Sequence, residues 1–253
     1  GGDGPNYYST LYALETDTYT WHKIEVPGAS PGPRRAHTSW AYNGNLYVHA
    51  GGDGVRALND VYVLNTRDAA LPFNGGAGSQ PDAPPLAWTK LHTSGTPPSP
   101  RGYHTSNLIS GGPKLVVYGG SDGHECFSDV HVLDLNTRHW TPITLDRACP
   151  RLSHTATQVG SYLFVLGGHD GARYSGEVLL LNLVTMNWET RRCFGGPPRG
   201  RGYHAAVLHD SRVFVYGGYD GAEVFGEMWT LDLSACGYLP QITAFEVGEE
   251  GMT

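Results

Sequence analysis

Pairs of adjacent glycines recur along this 253-residue chain at Gly1-Gly2, Gly51-Gly52, Gly119-Gly120, Gly167-Gly168 and Gly217-Gly218. Between second glycines the steps are 50, 68, 48 and 50 residues. A fixed period of this size implies one supersecondary unit that stacks on copies of itself. Three further positions keep the same step. Arg-x-x-His precedes the doublet at Arg34/His37, Arg101/His104, Arg151/His154 and Arg201/His204. An acidic residue follows it at Asp60, Asp129, Glu177 and Glu227. Trp21, Trp88, Trp140 and Trp188 close the unit, with Tyr238 in the fifth copy.

The stretch from Arg101 to Thr144 shows the unit without insertions. Tyr103–Ile109 and Lys114–Tyr118 are short runs rich in β-branched and aromatic residues, a third run carries Val130, Val132 and Leu133, and Trp140–Thr144 form a fourth. Gly, Pro, Asn and Asp clusters separate them, which predicts a four-stranded antiparallel meander. No stretch keeps a helical apolar stripe. Four strands in about 45–50 residues is the blade of a β-propeller, so the expected class is all-β. The glycine doublets let the backbone turn and neighbouring blades approach. Asp3, Asp53, Asp122, Asp170 and Asp220, each followed by Gly, suit tight turns. Trp88, Trp140 and Trp188 supply apolar plates between blades.

These residues together resemble the Kelch repeat, from Gly1 to about Tyr238. Tyr238–Gln241 is also similar to fungal Kelch proteins. The reading is one Kelch propeller over residues 1–243, in repeats 1–33 (partial), 34–100, 101–150, 151–200 and 201–243, followed by a tail, 244–253. Kelch rings usually have six or seven blades, so the four and a half repeats here are expected to belong to such a ring, completed by further parts of the same polypeptide or by a partner covering the edge. The 68-residue step holds an insertion, roughly Arg67–Ala87, rich in Gly and Pro and expected to be a surface loop.

Composition narrows the function. Net charge is −7 and only 16% of residues are charged, with no basic stripe, so nucleic acid is not an expected partner. No run of eighteen apolar residues exists, and no membrane insertion is expected. Cys126, Cys149, Cys193 and Cys236 form no C-x-x-C pair, which favours reduced thiols and a cytoplasmic location; a Cys126–Cys149 disulfide stays open.

No catalytic set assembles, and no metal or cofactor is expected. The four Arg-x-x-His histidines are read as part of the blade. Glu125 and Asp129 match the first spacing of the iron site of Kelch-type plant specifier proteins, but Leu133 stands where its histidine belongs. A metal-dependent enzyme using His124, Glu125 and His169 is the minority alternative.

What remains is a binding face. Loops carry function on rigid scaffolds. The loops joining strands two and three keep their Asp-Gly anchor but vary beyond it: Pro5–Tyr8, Val55–Leu58, His124–Phe127, Ala172–Ser175 and Ala222–Phe225. Aromatics and arginines are the types enriched at interface hot spots. The candidates for partner binding are Tyr7, Arg56, His124, Phe127, His169, Arg173, Tyr174, Tyr219 and Phe225. Phe127, Tyr174 and Phe225 are read as sharing one register, and packing between blades competes with binding for those three. Arg101, Arg151 and Arg201 belong to the scaffold; Arg35, Arg147 and Arg199 are freer. The resemblance implies a non-catalytic scaffold for a protein or peptide, in cell polarity or Ras-type signalling, or alternatively the recognition module of a Kelch–BTB cullin ubiquitin ligase.

Overall fold

A computed structural model describes residues 1–67, 69, 84–110 and 112–234. The described residues are all-β, without an α-helix. They fall into two compact units, residues 1–92 with 100–102, and residues 93–99 with 103 onward. Most of the expected Gly/Pro-rich insertion, Cys236, Tyr238–Gln241 and the 244–253 tail lie outside the described residues.

The first unit opens with the short hairpin β1 (Gly2–Asp3) and β2 (Asn6–Tyr7), then the antiparallel pair β3 (Leu11–Glu15) and β4 (Thr20–Ile24). Its four-stranded sheet runs β5 (Thr38–Tyr42), β6 (Asn45–Gly52), β7 (Ala57–Leu64) and β8 (Trp88–Lys90), in chain order and antiparallel throughout. Ile24, Leu64 and Leu86 form its buried centre, with Trp88 packed against them.

Among its described residues the second unit holds three sheets. The first is β10 (Thr105–Leu108), β11 (Lys114–Tyr118), β12 (Val130–Asp134) and β13 (His139–Ile143). A two-residue strand, β9 (Ser94–Gly95), adds to β13 in parallel, a fifth strand that the meander reading does not anticipate. The second is β14 (Thr155–Val159), β15 (Tyr162–Leu166), β16 (Val178–Asn182) and β17 (Asn187–Thr190). The third is β18 (Ala205–His209), β19 (Arg212–Tyr216) and β20 (Met228–Asp232). Strand alternation sends Val116, Tyr118, Val130 and Val132 to one face, where they meet Leu163, Val165, Leu181 and Trp188 of the next sheet. Face-to-face packing of four-stranded meanders is the blade stacking of a β-propeller.

The arginines of the Arg-x-x-His segments are buried, and Arg34, Arg151 and Arg201 reach the acidic residue of their own repeat. Arg34 grips Asp60 with both terminal nitrogens, at 2.6 and 3.3 Å. Arg151 pairs with Glu177 at 3.0 Å and Arg201 with Glu227 at 2.8 Å. A buried guanidinium needs such a partner, which explains why the two positions recur together.

The doublets are the hinge between blades. The Gly120 N–H donates to the Arg151 carbonyl at 2.8 Å, and the Gly168 N–H to the Arg201 carbonyl at 2.7 Å. In the first unit the equivalent donor is Gly51, to Arg101 at 2.8 Å, so this repeat sits one residue out of the alignment drawn on its glycines. Backbone angles agree. Left-handed φ values of +65, +60 and +72° at Gly119, Gly167 and Gly217 correspond to +59° at Ala50, and Gly51 at +93° corresponds to Gly120, Gly168 and Gly218. Gly52 thus stands where Ser121, His169 and Tyr219 stand, and is not a left-handed position.

Candidate functional site

Each strand 2–3 loop is built on its Asp-Gly anchor. Asp53, Asp122, Asp170 and Asp220 each accept two backbone N–H groups from two and three residues ahead, all within 3.0 Å. The following glycine takes a φ near +100°, at Gly54, Gly123, Gly171 and Gly221. These N–H donors hold the carboxyls of Asp53, Asp122 and Asp220 below the usual range. At Asp170 burial pushes upward, but the Arg173 and Ala172 N–H groups outweigh it. The anchor fixes the loop backbone, so the residues beyond it vary without changing the frame.

In the second unit three of these loops meet. The Cys126 thiol lies 3.6 Å from the His169 carbonyl on the neighbouring loop. His169 stacks edge-on against Tyr174 at 4.8 Å, and Tyr174 against Tyr219 at 6.0 Å. Burial, then Tyr203 and Tyr219, raise the Tyr174 phenol pKa. Tyr203 also meets Tyr103 edge-to-face at 5.7 Å. The result is a connected aromatic surface contributed by all three sheets. Arg173 rises at its rim, its side chain 82% exposed and only loosely paired with Asp170 at 3.8 Å.

Tyr103 and Tyr203 are absent from the sequence-derived candidates. They occupy the second x of Arg-x-x-His, where Ala36, Tyr103, Ser153 and Tyr203 all take φ between +56 and +61°. Their main chains link blade to blade: the Tyr203 N–H donates to the Ser153 carbonyl and the Ser153 N–H to the Tyr103 carbonyl, both at 2.9 Å. The backbone is therefore structural while the side chain is free to vary, and Tyr203 is 54% exposed. Large aromatics at a variable position inside a fixed motif were the available signal.

The remaining candidates are distributed as follows. His124 is exposed on its loop, and it does not join the aromatic surface. Phe127 is half-buried. Phe225 is only 7% exposed, with the Arg201 and Arg199 guanidiniums 4.0 and 4.9 Å from its ring centre, so it lies inside rather than on the presented surface. The shared register of Phe127, Tyr174 and Phe225 is corrected by the ladder. The N–H donating back to the doublet belongs to Phe127, Ser175 and Phe225, and Tyr174 aligns with Cys126 and Val224. Arg199 is not free, since it bonds Asp220 at 3.0 Å and Glu223 at 2.6 Å. In the first unit Arg56 is exposed beside Asp53, and Tyr7 lies under Arg35 with its ring against Gly54.

Among the described residues no group of three or more His, Cys, Asp or Glu side chains could hold a metal ion. Cys126, Cys149 and Cys193 are unpaired. Among the described residues no helix is long and apolar enough to cross a membrane.

Comparison with known proteins agrees with this architecture. A profile of the KLHDC2/KLHL20/DRC7 Kelch-repeats domain matches residues 1–83 and 81–239. The chain belongs to the Kelch-repeat family. Its curated relatives include the Rab9 effector protein with kelch motifs of Mus musculus, 35% identical over 132 residues, 51% of this chain and 30% of the relative. The Xenopus laevis protein of that name is 32% identical over 170 residues, covering 65% and 42%. Host cell factor of Drosophila melanogaster is 32% identical over 190 residues, 64% of this chain and 11% of the relative. The chain thus spans less than half the length of these Kelch relatives.

Proposed function

We propose that this Kelch chain is a non-catalytic scaffold that binds a protein on the strand 2–3 loop face of its second unit. The observation that carries this reading is the contiguous surface of Tyr103, Tyr203, Tyr174, Tyr219 and His169, edged by the exposed Arg173. Rigid aromatics bury large area at low entropic cost, and an arginine at their rim adds directional hydrogen bonding. Tyr7, Arg56, His124 and Phe127 are supporting contacts in this proposal, and the cytoplasmic location expected from the cysteines belongs to it. The name of the Mus musculus relative makes Rab9 one concrete partner to try.

The test is affinity capture with immobilised chain, comparing the native sequence with a variant carrying Arg173→Ala, Tyr203→Ala and Tyr219→Ala. Ala36 already holds the left-handed conformation that Ala would adopt at 203. The variant should keep its unfolding temperature and lose the captured protein. Undiminished capture by a folded variant would place recognition on another surface.

A further inference from the structure

One tyrosine position recurs in both units with different neighbours. Tyr7 and Tyr174 each stand four residues after the aspartate of an Asp-Gly anchor. Each ring lies against the glycine of the following anchor: a Cβ on Gly54 would meet Tyr7 at 3.0 Å, and one on Gly221 would meet Tyr174 at 3.4 Å. The Arg35 guanidinium sits over the Tyr7 ring, 5.0 Å from its centre. Arg35 directly follows the arginine of its Arg-x-x-His segment, and at that place beside Tyr174 the chain has Gly202. A Cβ on Gly202 would lie 2.9 Å from the Tyr174 ring, so this ring rests on bare backbone. Phe225, in the last of the loops, is covered by the Arg201 and Arg199 guanidiniums. Among the described residues no guanidinium or ammonium lies over Tyr174, Tyr203 or Tyr219.

The same loops carry an excess of negative charge. Loops 121–127, 169–175 and 219–225 hold Asp122, Glu125, Asp170, Asp220 and Glu223 against Arg173. With Arg199 from the linker the balance is −3, five carboxylates against two guanidiniums. Backbone N–H donors hold the Asp122 and Asp220 carboxyls below the usual range, so both are ionised at neutral pH. A tyrosine π face and nearby carboxylates attract a cation in the same direction. The rings also stand edge to face, 75° between planes for Tyr174 and Tyr219 and 89° for Tyr103 and Tyr203, which leaves open π faces that a parallel stack would cover. Resting on the reading of this surface as a partner site, we propose that its occupant is an arginine side chain from a basic segment of the partner protein. It stacks on Tyr203 and Tyr219 as Arg35 stacks on Tyr7.

Two blocked peptides test this on the full 253-residue chain: a run of Arg-Ser repeats, and the same run with citrulline in place of arginine. Binding is read by calorimetry and from the tyrosine ring signals in NMR, at about 0.15 M salt, where long-range attraction to exposed charge is screened. The arginine peptide should bind saturably and shift the Tyr203 and Tyr219 rings. The citrulline peptide, which keeps the shape and loses the charge, should bind about tenfold more weakly. Tyr203→Leu with Tyr219→Leu removes both rings and keeps every charge, and should weaken the arginine peptide roughly fivefold or more. No saturable binding of the arginine peptide, or equal affinity for the two peptides, overturns the proposal on the native chain, with no variant needed. Undiminished affinity in a folded leucine variant overturns it too, as attraction to net charge alone. If the Arg173→Ala, Tyr203→Ala, Tyr219→Ala chain loses its captured protein while the two peptides bind native chain equally, the partner site stands and its cationic occupant falls. Undiminished capture removes the site itself.

Discussion

Thr155 Oγ1 and His204 Nε2 lie 3.0 Å apart and join one blade of the second unit to the next; Thr105 and His154 repeat the pair one blade earlier, at the same distance. Burial, and then the charge of the neighbouring arginine, lower the pKa of His204 to about 4 and of His154 to about 3, against an ordinary value of 6.5. Both are therefore neutral in the folded protein near pH 7. Between about pH 6.5 and pH 4 the unfolded chain binds protons at these histidines and the folded chain does not, so stability falls as pH falls through that window. The loss from His204 alone is on the order of 3 kcal/mol at pH 4. Thermal unfolding from pH 7.5 to 4.5 should show a falling midpoint, with the slope reduced in His204→Gln. A midpoint independent of pH would show that these imidazoles are not buried in neutral form.

Gly51 and Gly52 are neighbours in sequence but differ in structural role. A Cβ on Gly51 would lie 2.7 Å from the Arg35 carbonyl at a φ of +93°, whereas one on Gly52 meets nothing closer than the Arg56 carbonyl at 3.7 Å. Gly51→Ala should lower stability by about 2–4 kcal/mol, and Gly52→Ala by less than about 1 kcal/mol. Urea unfolding of the two variants reads the difference directly; equal losses would refute the one-residue shift of this repeat.

That shift shows where sequence reading stops. Period, strand count and turn chemistry come from composition along the chain, and Lys114–Tyr118 is both the predicted run and β11. The doublet at Gly51-Gly52 was aligned on its glycines because glycine is the usual bearer of a left-handed φ, and Ala50 carries that angle instead. Alignment on Asp53-Gly54 and Asp122-Gly123 would have revealed it, since it sets Gly52 opposite Ser121 and Ala50-Gly51 opposite Gly119-Gly120. Phe225 looked like a loop aromatic, but its position relative to two arginines depends on packing between distant segments. Tyr103 and Tyr203 were hidden for the same reason: only the fold shows that a scaffold motif turns one of its side chains outward.

Asp60 neutralises Arg34 in a site where the Arg34 side chain is only 5% exposed and the carboxylate 16%. Asp60→Ala leaves a buried guanidinium without its bidentate partner and should cost about 2–4 kcal/mol. Asp60→Ala combined with Arg34→Met should recover part of that loss. Chemical denaturation of the single and double variants checks it, and additive losses would show that the pair is not coupled.

The Cys126 thiol faces the His169 carbonyl, and burial raises its pKa to about 11. At pH 8 only about one molecule in a thousand carries the thiolate there, so alkylation should be slow in the folded protein and become fast on unfolding. Rapid alkylation of Cys126 at pH 8 in native conditions would mean that the loops open.

The recognition surface itself is tested most directly by photo-cross-linking. Benzoylphenylalanine is introduced at position 173 on the loop face and, in a second chain, at the exposed Asn187 of β17. The 173 probe should give one discrete adduct with a partner protein, and Tyr203→Ala with Tyr219→Ala should remove it, while the 187 probe gives none. An adduct from position 187 alone, or one from 173 that survives the loss of both tyrosines, would contradict binding at the aromatic loop surface.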